Sequence, residues 1–483
     1  MQNMESSVSR RWILAAVMVV VPLVVAMVPP SWMGLEGMVF HQQTMLAIFA
    51  FAALSWIFEL YPAWVTSVVV IFLITLTDSD SAFFFFRDHT LTNRELGKLI
   101  SAPSILRSFG DPSIILYIGG LVMALSASKI GLDAKLARAI LHPFGRKPAN
   151  VLLGVMLATG LLSMFMSDTA TTALMIGMMT PVFVSMGDDT KGKAALALSV
   201  TFASLIGGMG TPVGTPPAML AFNALNDPEG LNLGLSFATW MAVMVPLCLL
   251  LIVIAWRVLV WMFPFTSTDI EVTFVNRASS RRDLVIVVAT YALTILLWIT
   301  GGVTGVSNSV AALVPVVVLA MTGIFTADDV SRLPWSVLWM FAGGLALGSG
   351  MDDVGLSTFL IEKVPFDTMS PLLVIVVSAL ICWTLSNFIS NTGTAALIIP
   401  VLSAMAMSMG DHLDAGGGAT TLIMGIAISA SMAMSLPVST PGNAIAFATG
   451  HVTQRQMVRA GIVVGLLGLI IGYAFVMLAM TVF

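Results

Sequence analysis

Four short stretches of this 483-residue chain place oxygen-bearing side chains inside apolar runs. The first, SMFMSDTATTALMIGMMTP at 163–181, contains Ser163, Ser167, Asp168, Thr169 and Thr171. The second, SNFISNTGT, supplies Ser386, Asn387, Ser390, Asn391, Thr392 and Thr394. GGMGTPVGTPPAM at 207–219 and SLPVSTPGNAI at 435–445 add Ser and Thr beside proline. Proline lacks an amide donor and disfavours a helical residue before it, so a helix crossing either point must unwind and free its carbonyls. Freed carbonyls and small hydroxyls suit a hard cation. Half-helix N-termini capped by Ser or Thr present positive dipole ends and unpaired N–H groups to an anion. The chemistry that needs both is coupled binding of a cation and an anion. The bland alternative is close helix packing through small residues; it accounts for a single serine better than for a set that recurs at four places.

These stretches must be positioned inside a membrane. With 58% hydrophobic and 10% charged residues, and apolar runs near span length, the chain belongs to the polytopic membrane class. A net charge of -4 with scattered basic residues predicts no nucleic-acid partner. Cys248 and Cys382 both lie in apolar segments and read as packing residues. Arg10 and Arg11 precede an apolar run as in a signal peptide, but without an A-x-A-like cleavage site the run reads as a retained first span. Windows of about 20 residues give about eleven spans. Segments 149–186 and 371–408, broken at SMFMSDT and SNFISNTGT, read as re-entrant hairpins, because non-helical backbone at membrane depth must be buried in protein or line a wet cavity. The Lys and Arg distribution predicts a cytoplasmic N-terminus and an outside C-terminus.

The two halves resemble each other. YIGGLVMALSASKIGL aligns with FAGGLALGSGMDDVGL, so that Gly119, Gly120 and Gly131 match Gly343, Gly344 and Gly355. SDT at Ser167 matches SNT at Ser390, and PVGTPP from Pro212 matches PVSTPG from Pro437, all at one shift of about 224 residues. Each repeat holds an odd number of full spans, which forces opposite orientations. The expected fold is therefore an all-α polytopic membrane protein with about 11 transmembrane helices, two inverted repeats and two re-entrant hairpins. Its parts are an N-terminal segment with the first transmembrane helix (1–43), a first inverted repeat (44–264), a cytoplasmic linker (265–282) and a second inverted repeat (283–483).

SDT and SNT at hairpin tips, with GTPVGTPP and PVSTPGN, resemble the divalent anion/sodium symporter family over about residues 44–483. The resemblance implies a homodimer in which a transport domain holding the hairpins moves against a scaffold. It implies C4-dicarboxylate substrates such as succinate, malate or fumarate, with citrate or sulfate in some members, and Na+ as coupling ion with no organic cofactor. By motif, substrate carboxylates would meet Asp168, Thr169, Thr215, Pro216, Ser390, Asn391, Thr392, Thr440 and Pro441. One sodium would lie among Ser163, Ser167, Asp168 and Gly214, the other among Ser386, Ile389, Asn391 and Ser439, with carbonyls serving where no side-chain oxygen exists.

Asp168 departs from the family asparagine. An ionised carboxylate beside a dianion is repelled more strongly as the dielectric falls, so the position must be neutralised by a cation or a proton, or the substrate must change. Its bland role is an N-cap. A second departure sets Ala218 opposite Asn443. Weaker candidates read as structural: Glu59 at a span end, Arg257 snorkelling, Asp352 and Asp353 solvated, Phe83 to Phe86 as an interfacial anchor, and His412 with Asp411 and Asp414 as a solvated turn. GMGTP near Gly208 lacks a G-K-[ST] ending, which argues against a nucleotide site. Together with this resemblance, the sequence predicts a sodium-coupled dicarboxylate symporter working by alternating access, not an enzyme, in a bacterial inner membrane. A sodium-independent exchanger, a proton-coupled carrier, a sulfate or citrate transporter and an anion channel are the alternatives.

Overall fold

The computed structural model describes residues 2–58, 60–88, 95–228, 230–270, 280–363, 369–410, 412–413 and 417–480. Glu59, Arg94, stretch 271–279 of the expected linker, and Asp411 and Asp414 beside His412 lie outside the described residues. Among the described residues the protein is all-helical, with 78% helix. The first half runs through α1 (Gln2–Met27), α2 (Phe40–Phe58), α3 (Ala63–Thr77), α4 (Pro112–Lys129), α5 (Leu132–Leu141), α6 (Pro148–Ser163), α7 (Asp168–Ser185), α8 (Thr190–Gly208), α9 (Pro216–Asn226) and α10 (Phe237–Met262). The second runs through α11 (Arg281–Thr304), α12 (Asn308–Met321), α13 (Trp335–Asp353), α14 (Leu356–Lys363), α15 (Pro371–Phe388), α16 (Asn391–Met409), α17 (Gly418–Ser431), α18 (Pro441–Ala448) and α19 (Gln454–Ala479).

Local sequence explains where these helices begin. Pro112, Pro148, Pro216, Pro371 and Pro441 each open a helix, a position whose amide has no intrahelical partner anyway. Asp111, Ser167, Asp189, Ser236 and Ser390 cap the helices that follow them by accepting an amide hydrogen of the first turn. Among the described residues, 6 helices are long and apolar enough to cross a membrane. Several of the spans expected from hydropathy are shorter, α3 having 15 residues and α12 having 14. The two expected proline breaks are present as well. α8 ends at Gly208 and α9 starts at Pro216; α17 ends at Ser431 and α18 starts at Pro441.

Packing follows a reciprocal pattern. α4 packs on α12 while α13 packs on α3. Gly119 and Gly343, aligned in sequence, make those contacts possible: a Cβ at Gly119 would overlap the Ala312 carbonyl oxygen, and one at Gly343 would overlap the Ser67 side chain. Tyr117 and Phe341, also aligned, meet edge to face with ring centroids 5.0 Å apart. In the other group of helices, α9 packs on α16 and α17, and α18 packs on α7 and α8. Each half-helix after a break therefore lies against the second arm of the other half's hairpin and the helix that precedes the other half's break.

Candidate functional site

α6 and α7 meet at a turn, residues 164–167, and α15 and α16 meet at residues 389–390. Ser167 starts α7 by accepting from the Ala170 amide at 3.3 Å, and Ser390 starts α16 by accepting from the Gly393 amide at 3.1 Å. Hydroxyl caps thus anchor both tips at the residues the motif singles out.

The break between α8 and α9 folds onto the first tip. Thr211 donates its hydroxyl to the Met164 carbonyl. A Cβ at Gly214 would overlap the Gly208 carbonyl oxygen and lie 2.8 Å from that of Ser163. The Gly208 and Ser163 carbonyls thus crowd a position that only glycine fills, so the break packs its backbone directly onto the first tip. Ser163 donates to the Ser204 carbonyl at 2.8 Å, and Ser204 donates to the Asp168 carbonyl at 2.7 Å. Ser204 was not legible in the sequence, because a serine in the apolar run VTFASLIGG looks like any small packing residue. Of the expected first sodium set, Ser163 and Gly214 come together directly, and Asp168 joins them through Ser204. The Asp168 carboxylate turns back on its own helix start, accepting from the Thr169 amide at 2.7 Å and the Thr169 hydroxyl at 3.3 Å.

The second tip is joined to its break by Asn387, whose side-chain oxygen accepts from the Ser435 amide at 2.9 Å, and by Trp383, which donates to the Met432 carbonyl at 3.1 Å. Ser439 donates to the Leu436 carbonyl at 2.8 Å and accepts from Asn443 at 2.9 Å, so its hydroxyl is held within the break and not aimed at the tip. Asn443 also accepts from Thr201 of α8 at 2.7 Å, which ties the second break to the first half. Ser390 lines a cavity of about 420 Å³ with Trp56, Tyr61 and Pro62 of the α2–α3 corner.

Several oxygens near the tips and breaks are buried without a hydrogen-bond partner: those of Thr171, Thr172, Thr215 and Thr394, and the side-chain carbonyl of Asn391. An unmet buried polar group costs about 1–3 kcal/mol, so a cluster of them is stable only where something else meets them. The two breaks differ here. Thr440 caps α18 by accepting from the Asn443 amide at 3.1 Å, whereas the Thr215 hydroxyl caps nothing. Thr169, Thr392, Pro216 and Pro441 sit beside these groups at the helix starts, and Ser386 and Ile389 close the turn of α15.

The model of the sodium:sulfate symporter transmembrane region matches residues 9–482. The chain belongs to the sodium:sulfate symporter family. Among curated members, the chain is 28% identical over 462 residues to a sodium-dependent dicarboxylate transporter SdcS of Staphylococcus saprophyticus, covering 88% of this chain and 84% of that one. It is 29% identical, with the same coverage, to SdcS of Staphylococcus aureus. The Alcanivorax borkumensis YdaH transporter overlays on it with a TM-score of 0.49 and 14% identity, covering 86% of this chain and 98% of that one. The family's members are transporters and not enzymes, as the sequence predicted.

Proposed function

We propose that this symporter-family protein couples sodium to uptake of a C4-dicarboxylate of the succinate, malate and fumarate class. The observation that carries the proposal is that each serine-capped tip is tied to its own half's proline break while each half-helix after a break packs on the other half's hairpin arm, with unmet buried oxygens at Thr215, Asn391 and Thr394. Relatives at 28–29% identity named as sodium-dependent dicarboxylate transporters support the substrate and the ion.

In this reading the carboxylates sit between the tips. Asp168 and Thr169 face them on one side, and Ser390, Asn391 and Thr392 on the other. Thr215, Pro216, Thr440 and Pro441 close the site from the breaks. One sodium occupies the Ser163, Ser167, Asp168 and Gly214 surround and the other that of Ser386, Ile389, Asn391 and the backbone of Ser439, whose hydroxyl is held within the break. Sodium binds first and orders the tips, and the hairpins then carry the site across as re-entrant elements of two inverted repeats. Contacts between aligned residues favour that symmetry: only near a two-fold axis can a residue touch its own counterpart, as Tyr117 touches Phe341. The protein acts as a homodimer in a bacterial inner membrane, N-terminus inside.

Asp168 favours a second reading in which a proton or a counter-anion replaces part of the sodium drive, since its carboxylate stands where a neutral amide is expected. Linkage separates the two. Sodium must raise succinate affinity by the factor that succinate raises sodium affinity. In detergent, succinate should raise the unfolding temperature only when sodium is present. The same rise in choline chloride would contradict sodium coupling.

A further inference from the structure

We infer that the protein has a second carboxylate-binding station, away from the tips, in a vestibule between α4, α9, α12, α13 and α16. The inference rests on the proposed anion transport. The vestibule measures about 940 Å³, ample for a C4 dianion, and is lined by Leu116, Asn223, Asn308, Gly344, Ala396 and Ser403. Asn223 lies on α9, seven positions after Pro216, so the station stands roughly 10 Å along the same half-helix from the breaks. Its wall comes from both groups of helices, and α16 is the arm that starts at the second tip.

The second observation is an unmet donor. Asn223 is 9% exposed, and its amide nitrogen has no hydrogen-bond partner although it borders the cavity. The Ser403 hydroxyl, also bordering it, is likewise unmet. The Asn223 amide N–H and the Ser403 hydroxyl, which can donate as well as accept, border one cavity, and each can donate to an acceptor such as a carboxylate. Arg107 borders the same vestibule, and among the described residues it makes no ion pair. Asp111, Asp227 and Asp352 also border it. Asp111 caps α4 by accepting from the Ser113 amide at 2.8 Å, and the net negative wall keeps anion affinity low. Weak binding is what a transit station needs: the anion is caught, oriented and released toward the tips.

The test uses intact cells expressing the full chain, an impermeant thiol reagent and succinate as probe. Cys248 and Cys382 are fully buried, so labelling of Ala224→Cys, a half-buried lining position that leaves Asn223 intact, stands out. The inference predicts that succinate with sodium slows labelling of Ala224→Cys from outside. It also predicts that the isosteric Asn223→Asp raises KM for succinate about tenfold at unchanged kcat, and that Arg107→Gln raises it about threefold, an effect that fades as salt rises. Labelling indifferent to succinate, with wild-type KM in both variants, would overturn the station while leaving sodium-driven uptake intact. Wild-type cells that take up no dicarboxylate would instead remove the proposed function on which the station rests.

Discussion

At the residue scale, the unmet oxygens separate binding from architecture. Thr440 and Thr215 occupy aligned positions, yet only Thr440 caps a helix. Thr440→Ala should therefore cost about 1 kcal/mol of stability. Thr215→Ala should leave stability nearly unchanged while cutting succinate uptake; unfolding curves and uptake on both variants check the split, and equal stability losses would contradict it. Asn391→Ala should abolish uptake, and wild-type transport by that variant would take the second tip out of the site. Asp168→Asn should raise the sodium concentration for half-maximal uptake by roughly tenfold, the scale of a lost charge-assisted contact. Unchanged sodium and pH curves would leave Asp168 as a cap for Thr169 alone. Motif spacing made these residues legible in the sequence. Ser204 and Thr201 were not, since their partners lie 41 and 242 positions away and no local pattern announces them.

At the element scale, the breaks are built by backbone approach. Gly214→Ala should abolish uptake, because the new methyl would overlap the Gly208 carbonyl; Gly177→Ala, with nothing within 4 Å, is the control that should transport normally. The proline breaks and both tips could be read in the sequence from residue type alone. The number of full-length helices could not, because a hydropathy window scores apolar content and does not register that α12 stops at 14 residues. Another element-level contact escaped the sequence. Asp189 caps α8 and holds residues 266–267, accepting from the Gly192 amide at 2.8 Å, from the Thr266 and Ser267 amides at 3.0 Å, and from the Ser267 hydroxyl at 2.9 Å. Burial pushes its carboxyl up, but the hydrogen bonds from Ser267, Gly192 and Thr266 together outweigh it and hold the carboxyl below the usual range. The clamp's contribution is thus whole above the ordinary carboxylate value, about 4, and is lost as pH falls through the lowered native one. Asp189→Asn should lower the unfolding temperature at pH 7, and the gap from wild type should close toward pH 3; a gap independent of pH would contradict the clamp.

At the scale of the whole molecule, the contacts between the two halves are reciprocal, as the proposed single site served by both copies of the motif requires. α9 lies on the second half's α16 and α17, and α18 on the first half's α7 and α8, so each half completes the other. The shift of about 224 residues between landmarks already announced two related halves in the sequence. That their half-helices exchange partners was not legible, since hydropathy and motif order are the same for exchanged and unexchanged packing. In the proposed mechanism this double site couples sodium to a dianion. Radiolabelled succinate uptake into proteoliposomes, under an inward sodium gradient and an equal choline gradient at pH 6 and 7.5, checks that coupling. Uptake is expected with sodium, and little with choline, at both pH values. Equal uptake in choline, driven by a pH step or by internal dicarboxylate, would contradict it.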